Sequence, residues 1–219
     1  MAIRYTHKEE VWNSWSHAGG AMMTGAVGIA FFIVVLLGNN DRLWAAIGVG
    51  LYLFGMLGSY LASTIYHALK LRNPWREHFR KWDHAAIYWH IAGAYSTVTL
   101  TTLACSGWWG GGLFAFIWGA ALLGTYTSFQ GLKEHSNLET VVYCIMGLSV
   151  LAVFHVFVKC VSMAAVWWLL AEGAAYLTGA VMYAYSHNRP YVHTLFHIFV
   201  IAGTACHVMA TLEVFKDYV

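Results

Sequence analysis

Seven stretches of about twenty mostly apolar residues run along this 219-residue chain, each long enough to cross the hydrocarbon core of a bilayer. They are read at residues 15–37, 43–69, 83–103, 113–129, 138–158, 162–185 and 192–212. Short polar connections separate them, at 38–42, 70–82, 105–112, 131–137, 159–161 and 186–191. Only 10% of the residues are charged and 59% are hydrophobic, whereas a soluble domain carries about a quarter charged residues. A water-facing surface cannot be made from such a sequence, so lipid must be the solvent. No alternating ten-residue segments suggest a barrel, and in lipid the helix is the other fold that satisfies its own backbone. The chain is therefore expected to be an all-α integral membrane protein, one seven-helix transmembrane bundle over residues 1–219. The first apolar run is long and lacks a small-residue cleavage site, so the first helix is expected to remain in the mature protein.

Lysine and arginine predict the orientation, because they concentrate on the cytoplasmic side. The N-terminus and the second, fourth and sixth loops hold nine: Arg4, Lys8, Lys70, Arg72, Arg76, Arg80, Lys81, Lys133 and Arg189. The other side holds three, Arg42, Lys159 and Lys216. This asymmetry predicts a cytoplasmic N-terminus, and seven crossings then leave the C-terminus outside. The formal net charge of +2 includes no basic run of the kind that binds nucleic acid. The four cysteines, Cys105, Cys144, Cys160 and Cys206, lie in or beside apolar segments without paired spacing, and read as small buried residues. Glycines recur in the first two helices, among them Gly20, Gly28, Gly48 and Gly55, as expected where membrane helices approach closely.

Twelve histidines stand in this apolar chain, and their placement matters more than their number. His193 and His197 are four apart and share one helix face. Ser63 and His67 are likewise four apart, near the end of the second helix. Asp83 opens the expected third helix. The second helix ends, and the third and seventh begin, on the same side of the membrane. His67, Asp83, His193 and His197 therefore share one depth near the cytoplasmic face. Ionisable groups inside a membrane usually face the bundle interior and one another. Three imidazoles with an oxygen donor suit zinc, with iron or copper also compatible by ligand type. Each element has a plainer alternative: a lone histidine at a helix end serves as an interfacial side chain, and an aspartate opening a helix serves as an N-cap.

In order along the chain stand Glu10-x-x-Asn13-x-x-Ser16-His17-x-x-Gly20, Ser63-x-x-x-His67, Asp83-His84-x-x-Ile87-Tyr88 with Ile91-Ala92-Gly93-x-Tyr95, and Pro190 with His193-x-x-x-His197 and His207. This series resembles the hemolysin III group of the progestin and adipoQ receptor family over nearly the whole length. The resemblance implies a seven-helix fold with the N-terminus inside. It also implies zinc held by His67, His193 and His197, with Asp83 binding the ion or its water and Ser63 hydrogen-bonding nearby. Zinc-dependent lipid amide hydrolases in the wider superfamily, and the association of bacterial members with membrane lipid homeostasis, suggest the activity. Ser96 and Thr97 stand where the family usually has Thr-Pro, so no proline kink is expected. His90 and Glu172 match no family position. His90 is seven residues beyond Asp83 and His207 fourteen beyond His193, so they are either a deeper polar column or separate hydrogen-bonded groups.

Four functions follow as expectations. The first is a zinc hydrolase of a lipid amide or ester, with Asp83 and Ser63 as its catalytic side chains and a fatty acyl or sphingolipid-like molecule as its partner, in a bacterial inner membrane. The second is a membrane-fluidity regulator whose zinc is structural. A cytolytic pore ranks third, because a pore needs a more polar lining. A haem carrier using paired mid-span histidines ranks last.

Overall fold

The computed structural model describes residues 5–38, 42–131, 137–186 and 189–216. Arg4 and Lys133, used above for orientation, lie outside the described residues, as do the centres of the connections at 38–42, 131–137 and 186–191. The described residues are helical, with no strand among them. The helices are α1 (His7–Leu37), α2 (Arg42–Ala68), α3 (Arg76–Thr99), α4 (Trp108–Gly131), α5 (Asn137–Leu148), α6 (Phe154–Cys160), α7 (Met163–Tyr185) and α8 (Val192–Lys216). Two short 3-10 segments, Thr102–Ser106 and Ser149–Val153, follow α3 and α5.

Six helical stretches among the described residues are long and apolar enough to cross a membrane: His7–Leu37, Arg42–Ala68, Trp108–Gln130, Leu138–Cys160, Met163–Tyr185 and Val192–Lys216. The expected third span, α3, is not one of them. It begins at Arg76 rather than at residue 83, so its first two turns carry Arg76, Glu77, Arg80 and Lys81. Their charge predicts a loop, yet several of them are satisfied locally. Arg80 pairs with Glu77 at 2.7 Å, and Arg76 donates to the carbonyls of Tyr66, at 3.2 Å, and Leu69. Arginine there closes the C-terminus of α2, where free carbonyls favour a cation. The earlier start removes the N-cap reading of Asp83, which sits two turns inside α3, while Trp75 occupies the cap position.

Other boundaries shift for local reasons. α1 starts at His7, eight residues before the apolar run, because Thr6 and Glu9 form a reciprocal capping box. The fifth apolar stretch is not one α-helix but α5, a 3-10 segment and α6. Tyr95 holds that break: its hydroxyl donates to the Gly147 carbonyl at 2.7 Å and accepts from the Val150 amide at 3.1 Å. α3 runs unbroken through Ser96 and Thr97, as expected without proline.

Helix neighbours follow chain order at first, α1 on α2, α2 on α3, and α3 on α4, and α7 packs along α8. α8 returns to pack on α1, bringing the two ends of the chain together. The closest approach is between α2 and α3. A Cβ added at Gly93 would lie 2.8 Å from the Leu51 carbonyl oxygen, and one at Gly55 would run into the Trp89 carbonyl. Only glycine permits that spacing. A Cβ at Gly20 would lie 2.5 Å from the Tyr60 ring, so that glycine seats a large aromatic between α1 and α2.

Candidate metal centre

The C-terminal end of α2 and the N-terminal ends of α1, α3 and α8 meet at one end of the bundle. The turn into α8 is held by α1: Tyr191 adopts a left-handed backbone (φ 62°), and its amide donates to Glu9 Oε1 at 2.7 Å. α8 begins at the next residue, so this contact sets where His193 and His197 point.

His67, His193 and His197 converge. Each offers a ligand nitrogen, and these atoms lie within 4.8 Å of one another. His193 Nε2 is 3.4 Å from His67 Nε2 and 3.1 Å from His197 Nε2. Two nitrogens bound tetrahedrally to one zinc at about 2.0–2.1 Å stand about 3.3–3.4 Å apart. All three rings are buried, with exposures of 2%, 6% and 1% in residue order.

The opposite ring atoms decide what faces inward. His67 Nδ1 is 2.7 Å from Glu10 Oε2, and Arg76 donates to the other oxygen of the same carboxylate. A carboxylate paired with arginine only accepts, so His67 Nδ1 carries a proton and donates it. His197 Nδ1 is 3.1 Å from the Asn13 carbonyl oxygen and 3.1 Å from Ser16 Oγ. The Ser16 hydroxyl spends its proton on the same Asn13 carbonyl, at 2.9 Å. Both neighbours accept, so His197 Nδ1 is also protonated. The Nε2 atoms of His67 and His197 are then lone pairs directed at His193. One proton on His193 Nε2 would fully satisfy only one of them. Imidazoles backed in this way by a carboxylate and a carbonyl are the usual arrangement of metal-bound histidine. His67, His193 and His197 could therefore hold a metal ion, and the nitrogen spacings of His193 to its two neighbours are compatible with zinc.

The remaining expected residues take distinct places. Ser63 is buried, and its Oγ has no hydrogen-bond partner among the described residues. Asp83 lies outside the 4.8 Å histidine group. It and Ser63 line one cavity of about 320 Å³ that also reaches His193 and His197. His84, next to Asp83, turns away to Glu139 on α5, at 2.8 Å. Tyr5 stacks on His193, with ring centroids 4.8 Å apart. Burial, with the nearby Tyr183, Tyr66, Glu10 and Asp83, holds the Tyr5 phenol above its ordinary range, so it remains an O–H group. His17 stacks on His197 at 3.6 Å, and neither of its ring nitrogens has a partner among the described residues.

Glu10, Asn13 and Ser16 had no assigned role in the sequence reading. For Glu10 and Asn13 the spacing contains the signal: positions 10, 13, 17 and 20 fall on one face of a helix, and that face is buried; Ser16 is half-buried. Charge alone places Arg76 in a loop, which hides its pairing with Glu10 from the first turn of α3.

A family model described as haemolysin-III related matches residues 5–208. The chain belongs to that family. It is 29% identical over 202 residues to a hemolysin-3 homolog of Bacillus subtilis (strain 168), covering 92% of each chain. It is also 29% identical over 199 residues to hemolysin-3 of Bacillus cereus, covering 90% of this chain and 88% of the relative. A more distant similarity, 26% over 179 residues, links it to the human monocyte to macrophage differentiation factor, covering 78% of this chain and 71% of that one. With six apolar helices of spanning length, this haemolysin III family member is a membrane protein.

Proposed function

We propose that this protein is a zinc-dependent hydrolase of a lipid amide or ester, acting in membrane lipid homeostasis. The observation that carries the reading is the convergence of three imidazole nitrogens, two of them with lone pairs fixed inward by Glu10 and Asn13, at the end of a largely apolar cavity. Zinc bound by three protein ligands keeps a fourth position open and supplies Lewis acidity at neutral pH. The chain's own groups do the rest. Asp83, on the cavity wall, is the carboxylate that accepts and returns a proton. Ser63 Oγ, buried without a partner, is free to hydrogen-bond the carbonyl oxygen of a substrate. Tyr5, held as a phenol, stacks on His193 at the cavity wall. The acyl chain lies in the cavity, out of water.

In this reading α3 is the seventh span. Its charged first turns lie at the cytoplasmic interface of a bacterial plasma membrane, and its apolar remainder crosses. The excess of lysine and arginine at that end supports a cytoplasmic N-terminus and an outside C-terminus. A structural zinc in a non-catalytic regulator is the second reading. It is favoured by the number of helices the cluster ties, since α1, α2, α3 and α8 all contribute.

Two measurements test the proposal. Metal analysis of the purified protein should find zinc in a one-to-one ratio, with none in a His193→Ala/His197→Ala variant. Mass spectrometry after incubation with a panel of lipid amides and esters should detect released fatty acid, absent from the Asp83→Asn variant. Stoichiometric zinc without release from any lipid would leave the structural reading standing.

A further inference from the structure

Deeper in the same bundle lies a second polar group that the metal centre does not use. His90 Nε2 is 3.1 Å from the Tyr176 hydroxyl and 3.3 Å from Thr204 Oγ1. Thr204 also meets the hydroxyls of Tyr60, at 2.7 Å, and Tyr176, at 3.2 Å. Beyond it, His207 Nδ1 is 3.0 Å from Glu172 Oε2. His90, Glu172 and His207 are 5%, 8% and 2% exposed. All three line the cavity that reaches His193 and His197 at its other end.

These groups are costly to keep among apolar helices, and most of them satisfy each other. His90 Nδ1 does not: it is buried and has no partner among the described residues. An unmet hydrogen-bonding atom on a buried ring beside a cavity is a place for a ligand's polar group. Its depth follows from helix register. Thr204, which meets His90, lies seven residues beyond His197 on α8, and His90 lies seven beyond Asp83 on α3. Both separations correspond to about 10 Å along the helix axis.

The chemistry narrows the ligand. If His90 Nε2 donates to Tyr176 or Thr204, Nδ1 is an acceptor; if Nε2 accepts, Nδ1 is a donor. A hydroxyl serves either tautomer, because it donates and accepts. A plain hydrocarbon chain serves neither and leaves the nitrogen unsatisfied. A carboxylate would meet Glu172 on the same wall.

We infer that the cavity selects an acyl chain carrying a hydroxyl group about 10 Å from the carbonyl end, recognised by His90 Nδ1. This rests on the reading of the cavity as an acyl-lipid site and adds which acyl lipids it takes.

The test uses the full-length zinc-loaded protein in nanodiscs. Binding is measured by native mass spectrometry for straight-chain fatty acids bearing one hydroxyl, moved stepwise along the chain, beside the unsubstituted acid. One mid-chain position should bind about five- to tenfold tighter than the plain acid, the effect of one buried hydrogen bond. His90→Leu should bring that ratio to about one. Its zinc content serves as the check on folding, and if it fails to hold zinc, His90→Asn takes its place. Equal binding of the plain and every hydroxylated acid overturns this inference while leaving the acyl-lipid reading in place. Failure of all the acids to bind overturns both. A preference that survives loss of the imidazole overturns the assignment to His90.

Discussion

The bundle contains two buried histidine clusters, and they solve opposite problems. At the end where α1, α2 and α8 meet, like meets like: His193 Nε2 faces the Nε2 atoms of His67 at 3.4 Å and of His197 at 3.1 Å. Deeper down, unlike meets unlike: His207 faces Glu172, and His90 faces two hydroxyls. The deeper cluster is nearly self-sufficient, with His90 Nδ1 left without a partner among the described residues. The outer one is not, because Glu10 and Asn13 take up the protons that would otherwise let the rings pair. Burial alone therefore does not mark a metal site. What suits this cluster to a metal ion is that His67 and His197 aim lone pairs at one point with their outward nitrogens engaged, while His193 Nδ1 has no partner among the described residues.

If that contrast is right, the two clusters respond differently to perturbation. The largest effect is expected from His193→Ala/His197→Ala, which should abolish zinc content by elemental analysis, while His207→Ala leaves it stoichiometric. Equal zinc in both variants would erase the distinction. Next, Glu10→Gln keeps the size of the side chain but removes the carboxylate that orients His67. Zinc affinity should fall about 10- to 100-fold in chelator competition, and an unchanged affinity would falsify the orienting role. Zinc removal itself should lower the melting temperature of the wild-type protein in detergent, because an ion bound to the folded state stabilises it by mass action. The double-alanine variant should show no further drop on chelation.

Smaller effects sharpen the same comparison. Gly55→Ala drives a methyl group into the Trp89 carbonyl at the α2–α3 contact and should cost about 1–3 kcal/mol, read as a lower melting temperature. No change would mean that the helices separate without penalty. Glu172→Gln should be mildest, destabilising by about 1 kcal/mol through the weakened bond to His207 with zinc unaltered. Zinc loss in that variant would show the clusters to be one coupled unit.

Much of the fold could be read along the chain. Lipid leaves few options for an apolar segment: helices lie at all seven expected positions, and six of the described stretches are long and apolar enough to span a membrane. Sequence and structure differ at two segments. The 76–82 segment is helical because Arg76 and Arg80 find partners at hand, which hydropathy does not register. The 138–158 segment breaks because a tyrosine from α3 receives its freed backbone groups, a contact across more than fifty residues.

The centre was readable in the same proportion. Four-residue spacing put His193 and His197 on one face, and shared depth added His67. Asp83 shares the cavity wall but stands apart from the three nitrogens, and register along a helix cannot tell these apart.

Sequence by itself determined which residues reach one end of the bundle, because period and hydropathy are properties of neighbours in the chain. Tertiary structure alone decided which ring nitrogen is left bare. That depends on a carboxylate 57 residues from His67 and a carbonyl 184 residues from His197, and a proton's position on an imidazole is set by what the other nitrogen touches.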